Sequence, residues 1–152
     1  MSLQNWLQMG YLVEHQATVA EVRSLLGVVD RELADAGVAG LSDEGRFTHA
    51  YDAALLLCKL GLHASGFELQ KRASGHHSRW INSLEFTLGK EHKETLIHLS
   101  KSSNLRHISL YDQTGVVQKQ DADDLLETAK KLRMDVLAWL RSQHPTLLPT
   151  GC

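Results

Sequence analysis

The chain has 152 residues, 43% of them hydrophobic and 22% charged, a size and composition that suit one globular domain able to bury its own core. Sixteen basic side chains against eighteen acidic ones leave a formal net charge of -2, which excludes general coating of DNA by a whole-molecule basic field. Both prolines lie late, at Pro145 and Pro149, so one domain over residues 1–144 and a frayed tail over 145–152 are expected.

Trp6, Leu7, Tyr11 and Leu12 predict a short helical piece broken near Gly10. Thr18-Val19-Ala20-Glu21 has the form of a capping box, in which the threonine hydroxyl accepts from a free backbone N–H and the glutamate reaches back. From there Val22, Leu25, Leu26, Val29 and Leu33 recur at helical spacing up to Ala36-Gly37, where glycine can adopt a left-handed cap. A second long helix is predicted over residues 43–65, with Ser42 as its cap and Gly66 after its end. Phe47, Ala50, Tyr51, Ala54, Leu55, Cys58 and Leu62 form one apolar face, and Leu56, Leu57 and Leu60 spread it nearly all round, so this helix should be central.

Trp80, Ile81, Leu84 and Leu88 define a third helix that starts at His76 or His77 and is closed by Gly89. A fourth starts near Glu91, uses Leu96 and Leu99, and turns polar at Lys101-Ser102-Ser103-Asn104. The last is expected from about Asp121 through Leu125, Ala129, Leu132, Val136 and Leu140, with Pro145 beyond it; early acids and late bases match its dipole. No alternating strand pattern competes. The expected fold is all-α: a four- to five-helix up-down bundle with an additional N-terminal helix.

Cys58 sits in an apolar run and Cys152 ends the chain, so both read as free thiols of a reducing compartment. The N-terminal residues lack the basic start and unbroken apolar stretch of a secretory signal, and no apolar run reaches membrane-spanning length. A cytoplasmic protein without membrane association is expected.

The sequence holds no Gly-x-Ser-x-Gly, P-loop or dinucleotide fingerprint, so those enzyme classes lack an anchor. Nine histidines invite a metal reading, but there is no His-Glu-x-x-His, no Cys-x-x-Cys and no tight His/Asp/Glu grouping. His76 and His77 point about 100° apart on a helix and do not readily share one metal, so no metal site and no cofactor are expected. Lys71, Arg72, His76, His77 and Arg79 form a basic cluster that reads either as a phosphate contact at a helix start or as a solvated turn. Segment 104–112 brings a fixed cation (Arg106), an imidazole (His107), a hydroxyl and a phenol (Tyr111) to a helix end; the alternative is Arg106 paired with an acid, Tyr111 packed and Asp112 capping.

Through residues 46–54, the Gly75-His76-His77 turn, residues 83–89 and Arg106 to Asp112, the chain resembles the HEPN superfamily (higher eukaryotes and prokaryotes nucleotide-binding), small helical bundles of prokaryotic toxin-antitoxin and RNA-processing systems. The family's RNase motif is an arginine with a histidine four to six residues further on, at a dimer interface. Arg106 and His107 match its start, but Tyr111 stands at the histidine position and Gln113 at that of a tyrosine which a partner nucleotidyltransferase modifies in some members. A phenol whose ordinary pKa is about 10 is a poor base at neutral pH. The resemblance therefore implies a homodimeric RNA- or nucleotide-binding or regulatory domain in a toxin-antitoxin-like setting with a nucleotidyltransferase partner. Its contacts would be Arg106, His107, Tyr111, Asp112, His76 and His77. The alternatives are a metal-independent endoribonuclease using Arg106 with His107 or Tyr111, and a purely structural protein-interaction module.

Overall fold

The computed structural model describes residues 1–152 and is an all-α bundle. The helices are α1 (Leu3–Gln8), α2 (Val19–Ala36), α3 (Asp43–Ala64), α4 (His76–Thr87), α5 (Lys93–His107) and α6 (Lys119–Gln143). Sequential neighbours α2 and α3, α3 and α4, and α4 and α5 pack together, and α6 closes on α3.

The central place of α3 follows from its sequence. Ala50, Ala53 and Ala54 are wholly buried and let neighbouring backbones approach, while Phe47, Tyr51, Leu57 and Leu60 fill the space between helices. Val22, Leu26 and Val29 from α2 and Leu125, Ala129, Leu132, Val136 and Leu140 from α6 complete this core. Both starts are capped, since Thr18 Oγ1 accepts from Glu21 N at 3.1 Å and Ser42 Oγ accepts from Gly45 N at 3.0 Å, but the expected capping box at Thr18 is only half formed, because the Glu21 carboxylate meets His15 and His63 and does not reach back.

The structure departs from expectation in five further places. Two strands, β1 (Leu12–Glu14) and β2 (Phe67–Leu69), pair antiparallel with Leu12 opposite Leu69. They pack with Trp6 and Leu62 as a small second core, so Tyr11 and Leu12 belong to a ribbon after the Gly10 break and not to the first helix. Gly37 ends α2 at φ -94°, without a left-handed conformation, as the last turn tightens to a 3₁₀-type bond from its N–H to the Ala34 carbonyl. The fourth helix starts at Lys93, after a single 3₁₀ turn over Lys90–His92. The last begins at Lys119, since Gln118 and Asp121 exchange reciprocal capping bonds. Finally, the tail is not frayed throughout: Pro145–Leu147 forms a 3₁₀ turn, Leu147 and Leu148 pack on the core, and Pro149 is buried, whereas Cys152 is exposed.

Candidate functional site

Beyond His107, α5 runs directly into a π turn over Ile108–Asp112, closed by the Gln113 N–H to Ile108 carbonyl bond at 2.8 Å. Wider π turns change which side chains face outward, and they recur at functional positions. His107, Tyr111 and Asp112 are exposed, Tyr111 at 73% of its surface, with the His107 and Tyr111 rings 4.9 Å apart between centroids. Tyr111 is thus neither packed nor hydrogen-bonded inside, and Asp112 caps no helix.

Arg106 faces the other way. Arg31, Arg46 and Arg133 each hold a carboxylate, whereas half-buried Arg106 holds none and its buried Nε meets no acceptor. Its guanidinium lies 5.3 Å from the ring centre of Tyr51, whose hydroxyl is 3.3 Å from His77 Nδ1. The arginine also borders a cavity of about 330 Å³ lined by Ser42, Gly45, Thr48, His49 and Ser109, among others. Arg106 thus shares a cavity wall with the start of α3, where the helix dipole favours an anion and where Glu44 also lines the space. The α3 acids at that end are partly engaged: Glu44 Oε1 accepts from Gly115 N at 2.7 Å, and Asp43 pairs with Arg46 at 3.5 Å.

Electrostatics knit the group together. Burial pushes the Tyr51 phenol up, against a Ser103 hydrogen bond and the Arg106 charge that pull it down. Burial likewise raises the Asp52 carboxyl, with Arg106 opposing, and lowers His77, with Arg106 reinforcing. His77 therefore favours the neutral imidazole at neutral pH.

Of the residues singled out from sequence, Arg106 and His77 are brought together through Tyr51. His107, Tyr111 and Asp112 sit on the outer side of the same turn. His76 is directed elsewhere, with Nε2 3.2 Å from the Gln70 carbonyl and its ring edge on Trp80. The basic cluster is also dispersed, since the Arg79 guanidinium lies 3.6 Å over the Tyr11 ring while Lys71 and Arg72 are exposed. Tyr51 and Asp52 were missed as site residues, and their one sequence signal is a phenol and an acid set directly before the apolar run Ala53 to Cys58.

The expected absence of any tight His/Asp/Glu grouping is also corrected. His15, Glu21 and His63 converge, as do Glu32, Asp35 and His49, because the fold unites residues that are distant in sequence. No family model, curated protein or solved structure matches the chain.

Proposed function

We propose that the protein is a HEPN-like RNA- or nucleotide-binding or regulatory domain in which Arg106 takes a phosphate. The observation that carries this reading is a half-buried arginine with no carboxylate and an unsatisfied Nε, set beside a helix N-terminus and an open cavity. Leaving a buried donor unpaired costs about 1–3 kcal/mol, a penalty that a phosphate would offset by drawing the guanidinium, Nε included, towards the cavity. Exposed Tyr111 and His107 would offer faces on which a base stacks, and single-stranded RNA suits such a pairing of cation and aromatic ring. Ile108, Leu110 and Tyr111 leave an apolar edge at the same turn, which suits a homodimer or a nucleotidyltransferase partner in a toxin-antitoxin-like pair.

Fluorescence anisotropy with short single-stranded RNA and with ATP tests the site. Arg106→Ala is expected to weaken whichever ligand binds by at least about tenfold, as loss of a charged hydrogen bond implies, with the circular dichroism spectrum unchanged. Equal affinity for both ligands in wild type and variant would refute the proposal. A metal-independent endoribonuclease is the second reading, favoured by the neutral His77 imidazole beside the Arg106–Tyr51 pair. It requires RNA cleavage in the presence of chelator that both Arg106→Ala and His77→Asn abolish; intact RNA across a varied set rules it out.

A further inference from the structure

Towards the other end of α3 from the Arg106 group, four titratable side chains meet where the β ribbon joins α2 and α3. His15 follows β1, Glu21 lies in the first turn of α2, His63 in the last turn of α3, and Glu68 in β2. His15 Nε2 is 2.7 Å from one Glu21 oxygen, and His63 Nδ1 is 2.6 Å from the other. The second nitrogen of His15, Nδ1, is 3.1 Å from Glu68 Oε2.

These distances pose a donor question. An imidazole with both nitrogens against carboxylates satisfies them only with two protons, or with one proton and a cation. Glu68 stands within ion-pair distance of Nδ1, the place from which an outer carboxylate orients a metal-bound histidine and fixes its tautomer, leaving Nε2 as the ligating atom. Two imidazoles and one carboxylate are also a donor set of the zinc class, with three protein ligands and a coordination position left to water. His15 borders an open depression of about 430 Å³, also lined by Glu14, Gln16, Gly66 and Phe67, which gives an ion and its water a way in.

We propose that His15 Nε2, Glu21 and His63 Nδ1 bind a divalent ion of the zinc class, with Glu68 as the positioning residue for His15. The ligand-capable atoms already lie within 4.8 Å of one another. Bonds of about 2.0–2.1 Å around a tetrahedral ion call for donor separations of about 3.3 Å, so each histidine nitrogen parts from its Glu21 oxygen by roughly 0.6–0.7 Å on binding. The proton balance is explicit. The hydrogen on His63 Nδ1 relocates to Nε2 of the same ring, and any proton that His15 Nε2 shares with Glu21 is released to solvent. Two carboxylates around two neutral imidazoles supply the charge a divalent ion needs. Lys59, one turn before His63, opposes it but is drawn towards the Trp80 ring, 5.5 Å from its centre. The ion ties the ribbon to the ends of both long helices.

Calorimetric titration of the chelator-stripped full chain with Zn²⁺ tests this. One ion per chain is expected, and the melting temperature should rise by at least about 5 °C at a hundredfold excess over Kd. His15→Asn and His63→Gln should each weaken binding at least about tenfold, and Glu68→Gln by about 10–100-fold, while His98→Gln and Cys152→Ser leave it unchanged. If His63→Gln does not fold, the visible absorption of tetrahedral Co²⁺, retained in wild type and lost in His15→Asn, decides the matter. Absence of stoichiometric binding, or binding that survives His15→Asn and disappears in Cys152→Ser or His98→Gln, overturns the site.

Discussion

Arg106 differs in its surroundings from the arginines that join helices through carboxylates. Its neighbours are the Tyr51 ring and a half-buried Asp52 whose carboxyl burial itself raises, so the site pairs an unsatisfied guanidinium with an acid not drawn into an ion pair. Replacing a poorly compensated, partly buried charge with an apolar side chain of similar reach is commonly neutral or stabilising. Arg106→Leu is therefore expected to leave stability unchanged or raise it by up to about 1 kcal/mol in urea melts. A loss above about 2 kcal/mol would mean that the arginine is a structural strut, and the phosphate proposal would fall with that result. Contrast Arg46, which pairs with both Asp43 and Asp123 and so joins the α3 start to α6. Nothing in the local sequence separates these two arginines; the difference lies in which helices happen to face them.

At the scale of elements, α3 governs the rest. Wholly buried Ala50, Ala53 and Ala54 set how closely the adjacent helices approach, so adding bulk there must push a neighbour outward. Ala54→Leu is expected to destabilise the fold by about 1–3 kcal/mol, read as a lower urea midpoint with little change in slope. An unchanged midpoint would show that the interface is loosely packed. The centrality of α3 was legible because its apolar residues surround it, and the starts of α2 and α3 were legible because Thr18 and Ser42 are effective caps. The ribbon was not: two strands of three residues, distant in sequence, carry too little alternation to compete with helical spacing. For the same reason the His15, Glu21, His63 and Glu68 cluster left no motif. Its spacing is set by where the ribbon returns to α3, a long-range property of the fold.

At the scale of the whole molecule, the near balance of sixteen bases and eighteen acids makes the histidines decisive for how stability follows pH. Burial lowers His63, His77 and His144 below the ordinary histidine value, so the native state resists protons that the unfolded chain accepts. The unfolded state then binds more protons below a pH of about 6.5, and stability must fall as pH drops through that window. A lower stage follows. For Glu21, burial raises the carboxyl, but hydrogen bonds from His63 and His15 together bring it below its ordinary value. Its contribution is present above the ordinary carboxylate range and is lost as pH falls through the lowered value. Asp52, raised by burial, works the other way and is relieved by acid. The melting temperature of the chelator-treated chain should thus decline in two stages between about pH 7 and pH 4, and His63→Gln should flatten the upper one. A flat profile from about pH 7 to pH 5.5 in wild type would show that these imidazoles titrate alike in the folded and unfolded chain, contrary to the burial of His63.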